Sequence, residues 1–403
     1  MSGRLDAPRP LIEVARSALA EDGRLSVRGV AAALRETGHV HGDSTVLAVH
    51  DALVQEVVGA GPLEPLLCEP GVTDVLVNGP DDVYVDRGRG LERADVRFGG
   101  EEDVRRLAQR LAAGAGRRLD DAAPHADLRL ADGTRFHAVL APIARGGTTI
   151  SLRVPRRGAV SLADLAQSGS MDEATADLLR AVVRQRLAFI VSGGTGSGKT
   201  TLLAALLAEV PRDERIVVVE DSAELDPPHP HVVALESRPA NVEGAGAVTM
   251  RDLVRQSLRM RPDRVVVGEV RGPEVIDMLA ALNTGHEGGC ATIHANSAAD
   301  VIARLESLAL SAGLPREAAH AQMGAALHVV VHVVRRRDGR RHVAEIGVVD
   351  GVVAARDRSD HHADPRGLVH VVPAVVAEPG GGMREGPGAE RLAMLLQARE
   401  AAA

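Results

Sequence analysis

The sequence predicts an α/β protein, in which a smaller α+β domain precedes a domain built on a largely parallel sheet. Two observations lead to this prediction. From residue 188 onward, runs of Val and Ile alternate with helix-like segments, and strands that are apolar on both faces are typical of parallel sheets. Before residue 155, the strand-like runs instead alternate apolar and polar residues. A length of 403 residues is also more than one domain usually needs.

Composition excludes several classes of protein. With 45% hydrophobic and 25% charged residues, wholesale disorder is excluded. No apolar stretch approaches the roughly 18 residues of a membrane helix, and no signal-peptide core is visible, so we expect a cytoplasmic chain without an integral membrane segment. The net charge of −8, with only one Tyr, three Phe and no Trp, disfavours direct binding of nucleic acid. The two cysteines form no disulfide framework.

The first 155 residues are predicted to contain a helical N-terminal extension (1–60) and the α+β domain (61–155). In the extension, apolar residues from Val46 to Val58 fall near helical spacing. In the domain, residues 75–86 resemble a hairpin with an Asn78-Gly79 turn. Residues 101–111 have the pattern of a helix, and residues 135–140 and 148–154 have the pattern of strands.

A linker (156–187) with a helix over 171–186 is predicted next, then the larger domain (188–350) and a partly flexible C-terminal tail (351–403) with a short final helix. The predicted strands of the larger domain are 188–192, 216–219, 265–268, 291–294 and 329–334. Its predicted helices are 199–210, 250–260, 273–284 and 298–310.

A phosphate-binding motif lies between the first strand and the first helix of this domain. It fits G-x-x-x-x-G-K-[ST] with Gly193, Gly194, Thr195, Gly196, Ser197, Gly198, Lys199 and Thr200. Glycines let backbone N–H groups turn toward phosphate oxygens, and the helix N-terminus adds its positive end. We therefore predict that Lys199 reaches the β- and γ-phosphates of a nucleotide and that the Thr200 hydroxyl ligates Mg²⁺.

Lys199 is the only lysine among the 47 basic residues. A coding bias toward arginine accounts for the other positive charges. Because arginine and lysine differ in shape and donor geometry, the exception indicates chemistry that needs a compact ammonium group. Acidic candidates follow two later strands: Glu220 ends the run Ile216–Glu220, and Glu269 follows the run Arg264–Gly268. Gly268 stands where the usual Walker B motif has Asp.

Four motifs in this order resemble the type II/type IV secretion ATPase superfamily, and most closely its TadA/CpaF-type branch of Flp/Tad pilus assembly. They are SGGTGSGKTT (Walker A), VVVEDSAEL (Asp box), RVVVGEVRG (Walker B without its Asp) and NTGHEGGCATIHANS (His box). The resemblance extends to GPLEPLL, VTDVLVNGP and DGTRFHAVLAPIA, and thus covers roughly residues 50–350. It implies a RecA-like P-loop NTPase domain that hydrolyses ATP with Mg²⁺.

The resemblance also assigns roles to residues. It makes Gly193 to Thr201 the ATP loop, Glu220 the general base for water, and Glu269 a ligand of Mg²⁺ and the attacking water, although which glutamate is the base stays open. His294 would sense the γ-phosphate. Arg135 and Arg153 match arginines that the family's N-terminal domain presents to the nucleotide. Arg271 matches a motif residue to which chemistry assigns no role.

The implied assembly is a homo-hexamer, peripheral at the cytoplasmic membrane, that moves a polytopic inner-membrane platform protein of a pilus or secretion machine. Two alternatives stay open. Conjugation systems use a relative of this family, so the chain could be a nucleic-acid motor, against which net charge and scarce aromatics argue. It could also bind nucleotide with little turnover, against which the presence of Lys199, Glu220 and Glu269 argues.

Overall fold

The chain forms two compact units in a computed structural model, Met1–Arg157 and Gly158–Ala403. The structure describes residues 11, 27–35, 42, 45–50, 59–155, 160–238, 240, 245–285, 287–336, 338–351, 368–378 and 382–400. Among these residues, no helix is long and apolar enough to cross a membrane.

The described part of the N-terminal extension is mostly helical. Helix α1 is Val27–Arg35, and residues 45–50 are helical as well. A small apolar cluster joins these segments through Val30, Ala33, Leu34, Val46 and Val49. Residues 51–58, which complete the helical pattern in the sequence, lie outside the described residues.

The rest of the first unit is an antiparallel sheet with a helix packed on it. Its elements are α2 (Glu64–Leu67), β1 (Asp74–Val77), β2 (Val83–Asp86), β3 (Leu91–Arg93), α3 (Glu101–Gly114), β4 (His125–Arg129), β5 (Arg135–Val139) and β6 (Thr149–Arg153). In the described part of the unit, the strand order is β3-β2-β1-β6-β5-β4. Strands β1, β2, β5 and β6 bury alternate residues, because only one face of the sheet meets the helices.

The predicted α+β elements of this unit are confirmed, with one correction. Strands β1 and β2 pair antiparallel with Val77 opposite Val83. The predicted hairpin is thus present, but its connection spans residues 78–82, closed by a 2.8 Å hydrogen bond from Asn78 N to Asp82 O, rather than Asn78 and Gly79 alone. The sequence pattern also missed β3, whose three residues are all exposed and carry no apolar signal.

The second unit has helices on both faces of a large sheet. Its first elements are α4 (Leu162–Gln167), α5 (Glu173–Arg184), β7 (Phe189–Gly193), α6 (Lys199–Leu207), β8 (Ile216–Glu220), β9 (Val232–Glu236), α7 (Met250–Ser257), β10 (Arg264–Val267), α8 (Glu274–Asn283) and β11 (Cys290–Ile293). The later ones are α9 (Asp300–Ser311), α10 (Arg316–Ala326), β12 (Val329–Arg335), β13 (Arg341–Asp350), β14 (His370–Ala377), β15 (Met383–Glu385) and α11 (Ala389–Glu400).

Strand β7 lies inside the sheet, where it positions the site. Within the described residues the strand order is β15-β14-β13-β12-β7-β11-β10-β8-β9. The six strands from β12 to β9 pair parallel, as predicted, and β13 to β15 extend the sheet antiparallel. Strands β7, β8, β10 and β11 are buried throughout, because apolar clusters cover both faces of the sheet.

The C-terminal residues differ from the predicted tail. Residues 370–377 and 383–385 form β14 and β15, which join the main sheet, and α11 places Leu392 in the core. The Gly-rich residues 379–387 of the predicted tail therefore include the strand β15, while residues 352–367 and 379–381 lie outside the described residues. The apolar run His370–Ala377 is a strand despite Pro373, because Pro373 pairs opposite Gly347 at a register shift.

Candidate active site

The predicted phosphate-binding loop connects β7 to α6. Gly193 ends β7 against β12, where a Cβ would lie 2.3 Å from the Val333 carbonyl oxygen. Gly198 has φ +97° and begins α6 in a conformation that glycine adopts at little cost. The loop thus follows the strand closely and directs the N-terminus of α6 toward the end of the sheet, as a phosphate site requires.

Lys199 is held inside this loop. It is 7% exposed, and its Nζ donates to the carbonyl oxygens of Gly193, at 3.1 Å, and Gly194, at 3.0 Å. Burial lowers the pKa of Lys199, an effect that the negative charge of Glu269 opposes. The ammonium group is therefore buried and bonded to the backbone of its own loop, a setting that suits a compact cation.

His294 and Glu269 lie beside this ammonium group. Lys199 Nζ is 3.4 Å from His294 Nδ1, and His294 Nε2 is 2.9 Å from Glu269 Oε1. Burial and the nearby charge of Lys199 hold the pKa of His294 below its ordinary value, so the imidazole is neutral at pH 7. The structure thus brings together three of the predicted site residues, from α6, from the loop after β10 and from the loop after β11.

Arg271 links the ends of two neighbouring strands. Its Nη2 donates to Glu269 Oε2 at 2.6 Å, and its Nη1 donates to Asp221 Oδ2 at 2.7 Å. Burial disfavours the charged form of Glu269, but the hydrogen bond and charge of Arg271 outweigh burial, and the pKa of the carboxyl lies below its ordinary value. Arg271 therefore keeps Glu269 ionised and fixes its orientation.

Glu220 has different surroundings. It is 3% exposed, and its Oε1 accepts the backbone N–H groups of Glu224, at 3.0 Å, and Leu225, at 3.1 Å. The carboxylate thus holds the turn that follows β8. Because β8 and β10 are neighbours in parallel register, the two predicted carboxylates lie at adjacent strand ends, but their bonding differs.

The same packing explains the missing Walker B aspartate. A Cβ on Gly268 would lie 2.4 Å from Glu220 Cγ, well inside van der Waals contact. The side chain of Glu220 therefore occupies the space that an aspartate at position 268 would need.

We accordingly expect Gly268→Asp, which would restore the usual Walker B residue, to inactivate the protein. Gly268→Ala should already lower the free energy of unfolding by about 1–3 kcal/mol through overpacking. Thermal unfolding and phosphate release check both variants. Gly114→Ala is the matched control, since a Cβ there meets no atom within 4 Å. A fully active, stable Gly268→Asp chain would contradict the packing account.

Two further side chains form a hydrogen bond between the strands next to the loop. Ser192 Oγ and His332 Nδ1 form a buried 2.9 Å hydrogen bond between β7 and β12, and His332 is also bonded to the backbone of Asn296. Sequence reasoning missed His332 and Asp221. For Asp221 a signal exists, since it follows Glu220 directly, whereas nothing in the sequence distinguishes His332 from the other 15 of the 16 histidines.

The residues present fit a nucleotide with its magnesium ion. Thr200 and Thr201 stand in the first turn of α6, directly after Lys199, and Glu269 supplies a carboxylate next to that lysine. Within the described ranges, no group of three or more His, Cys, Asp or Glu side chains could hold a metal ion. Mg²⁺ commonly takes one or two protein ligands and the rest from phosphate and water, which suits this sparse set.

Arg135 and Arg153 lie in the first unit. They are directly opposite each other on β5 and β6. Arg135 Nη2 is 2.9 Å from Asp127 Oδ2, and Arg153 Nε is 3.3 Å from Asp74 Oδ1. The two predicted arginines are therefore cross-strand neighbours on the antiparallel sheet, and each lies next to an aspartate.

The geometry of the second unit is that of a site for charge stabilisation. A buried ammonium group lies 3.4 Å from a neutral imidazole, and that imidazole lies 2.9 Å from an ionised carboxylate. Transfer of a phosphoryl group to water needs these functions, namely a cation for the phosphate charge and a carboxylate for the water.

Comparisons with known proteins identify the family of this chain. The family model described as "Type II/IV secretion system protein" matches residues 56–374. A putative conjugal transfer protein of Mycobacterium tuberculosis is 59% identical over 314 residues, which are 76% of this chain and 89% of that protein. The conjugal transfer protein TrbB of Rhizobium radiobacter is 32% identical over 337 residues, which are 81% of this chain and 99% of that protein.

Solved structures support the predicted fold. The pilus retraction motor PilT with bound ADP superposes with a TM-score of 0.51 at 21% sequence identity, over 70% of this chain and 80% of that one. The α/β fold with a RecA-like P-loop domain after a small α+β domain is thus confirmed. With a family model that spans most of its length, this chain belongs to the type II/IV secretion system protein family.

Proposed function

We propose that this protein is a Mg²⁺-dependent ATPase that powers the assembly of a type IV, Flp/Tad-like pilus or a related type II/IV secretion machine. The observation that carries the proposal is the contact chain Lys199–His294–Glu269 at the mouth of the phosphate-binding loop. In this proposal, those groups face the γ-phosphate of a bound ATP and its attacking water.

In the proposed reaction, a water oxygen attacks the γ-phosphorus of ATP while the bond from that phosphorus to the β,γ-bridging oxygen breaks. The water's proton passes to a carboxylate, and the products are ADP and phosphate. Lys199 leaves the carbonyl groups of Gly193 and Gly194 to stabilise the β- and γ-phosphate oxygens. Mg²⁺, when bound, would be held by Thr200 and Glu269 and would neutralise phosphate charge.

We assign the proton-accepting role to Glu269 rather than to Glu220. The Glu269 side chain is 16% exposed and borders Lys199, whose ammonium group would bind the γ-phosphate, and His294. Glu220 is almost fully buried, and its oxygens are occupied by the backbone N–H groups of Glu224 and Leu225. Glu220 would then position the turn that follows β8, and His294 would respond to the γ-phosphate.

We further propose a homo-hexamer, peripheral at the cytoplasmic membrane, that acts on a polytopic platform protein. In this scheme Arg135 and Arg153 of the first unit complete the charge stabilisation when the units close during the cycle, which would couple hydrolysis to movement. The two arginines are opposite each other on neighbouring strands, next to Asp127 and Asp74, so both guanidinium groups would be placed to contact one anionic ligand.

Replacing Arg135 or Arg153 with alanine in the full chain should lower turnover much more than nucleotide affinity. We expect a loss of about 10²-fold or more for one variant, since arginines of this kind supply about 10³–10⁵ in rate elsewhere and the second arginine remains. Steady-state phosphate release over a range of protein concentrations checks this, and wild-type turnover should rise with assembly.

Arg93→Ala is a suitable control. Arg93 lies on the edge strand β3 of the same unit and, like Arg135 and Arg153, pairs with an aspartate, Asp82. If Arg135→Ala and Arg153→Ala hydrolyse ATP as fast as Arg93→Ala at every concentration, the first unit plays no part in catalysis.

A conjugal-transfer motor is the second candidate, because the relatives from Mycobacterium tuberculosis and Rhizobium radiobacter are described as conjugal transfer proteins. DNA added at physiological salt distinguishes the two. A several-fold stimulation of ATP hydrolysis by DNA would favour the conjugal motor, whereas an unchanged rate would favour the pilus or secretion motor. No hydrolysis above buffer, with or without DNA, would instead indicate a nucleotide-binding subunit without turnover.

A further inference from the structure

The hairpin formed by β12 and β13 contacts the phosphate-binding loop. This hairpin belongs to none of the sequence motifs described above. Arg341, the first residue of β13, donates from Nε to the Gly196 carbonyl oxygen at 2.9 Å. Its Cδ lies 3.0 Å from the position of a Cβ on Gly198. One arginine side chain thus covers the loop backbone at two of its glycines.

The contact fixes the direction of a peptide group in the loop. In a trans peptide, the carbonyl and the following N–H point in opposite directions. Because Arg341 holds the Gly196 carbonyl, the Ser197 N–H points the opposite way, where it donates to the Gly194 carbonyl oxygen at 3.3 Å. Lys199 bonds to that same carbonyl. The contact with Arg341 therefore helps to fix the backbone of a loop whose N–H groups would receive phosphate oxygens.

Charge on the hairpin also points to an anion. Residues 335–341 contain five arginines and one aspartate in a chain of net charge −8. Arg335 is directly opposite Arg341 across the two strands. Arg335 Nη1 lies 3.7 Å from the position of a Cβ on Gly196, so both guanidinium groups border the same loop.

We propose that Arg341 is a positioning residue of the nucleotide site: it holds the Gly196 peptide so that the loop is arranged for the phosphates common to ADP and ATP. This rests on the proposed function only in that the loop binds a nucleotide. A residue that arranges the loop affects ADP and ATP alike, whereas a sensor of the γ-phosphate affects ATP alone.

The test uses the full chain and three variants: Arg341→Gln, Arg341→Lys and the matched control Arg340→Gln. Arg340 is the exposed neighbour in the same hairpin and pairs loosely with Asp338, at 4.0 Å. Both glutamine variants remove one positive charge from the same segment, so a difference between them reports the contact rather than the charge. Calorimetric titration with Mg-ADP and with a non-hydrolysable ATP analogue gives the affinities.

We expect Arg341→Gln to weaken both nucleotides by about 10-fold, and Arg340→Gln to change them by less than about 2-fold. Arg341→Lys should recover part of the affinity, because an ammonium group can still donate to a carbonyl. KM for ATP should rise while kcat at saturating ATP stays near the wild-type value. Without nucleotide, the unfolding temperatures of the two glutamine variants should agree.

Equal Mg-ADP affinity in Arg341→Gln and Arg340→Gln would overturn the proposal. So would an Arg341→Gln chain that fails to fold or an affinity loss confined to the ATP analogue. A wild-type chain that binds Mg-ADP but shows no ATP turnover would contradict the proposed function. The Mg-ADP affinities of Arg341→Gln and Arg340→Gln would still test the role of Arg341, because Mg-ADP binding requires no hydrolysis.

Discussion

Lys199→Ala is expected to abolish ATP turnover and most of the nucleotide affinity. The ammonium group is buried between the loop carbonyls and the Glu269–His294 pair, and no other lysine in the chain can replace it. Its removal takes away the cation that would face the β- and γ-phosphates, and several kcal/mol of transition-state stabilisation with it. Phosphate release and titration with Mg-ADP measure the two losses.

Lys199→Arg serves as the charge-conserving comparison. The planar guanidinium needs more room than the ammonium group, and a side chain with 7% exposure leaves little, so this variant should be inactive as well. Thermal unfolding verifies that both variants are folded. Hydrolysis at the wild-type rate in Lys199→Ala would show that the phosphate site lies elsewhere.

Glu269→Gln should bind ATP and lose turnover by about 10³-fold or more. The amide keeps the shape of the side chain but cannot accept the proton of water, and it also weakens the bond to Arg271. Radiolabelled ATP that stays bound and uncleaved is the expected readout.

Glu220→Gln is the matched variant on the neighbouring strand, and it should lose much less activity. Its amide oxygen can still accept the N–H groups of Glu224 and Leu225, which the carboxylate holds through Oε1. If Glu220→Gln traps ATP while Glu269→Gln stays active, the two roles are exchanged, as the sequence resemblance alone would assign them.

The core of the second unit could be predicted from the sequence because its signals are local. Strand β7, the loop and α6 are contiguous, and β8 and β10 are runs of Val and Ile buried throughout. Strand β13 was missed because it mixes polar and apolar residues, and β14 lies in the tail that was predicted to be partly flexible. In β14, Pro373 also breaks the strand pattern unless a register shift accommodates it.

The chemistry-bearing residues could be named from the sequence, but their bonding could not. Glu220 and Glu269 look alike at two strand ends, and only the fold of the turn after β8 gives Glu220 its backbone donors. In the sequence, Gly268 looks like the loss of the Walker B aspartate. The structure explains the glycine, because the Glu220 side chain occupies the adjacent space. Arg341 lies 145 residues from Gly196 along the chain, so no spacing could have connected them.

A single-turnover experiment tests the central claim most directly: pre-bound ATP is chased in the presence of Mg²⁺, and phosphate release is followed in the wild-type chain and in Glu269→Gln at equal occupancy. The site described here predicts that the wild-type chain converts its bound ATP to ADP and phosphate, while Glu269→Gln retains intact ATP over the same time. Identical time courses in the two proteins would contradict it.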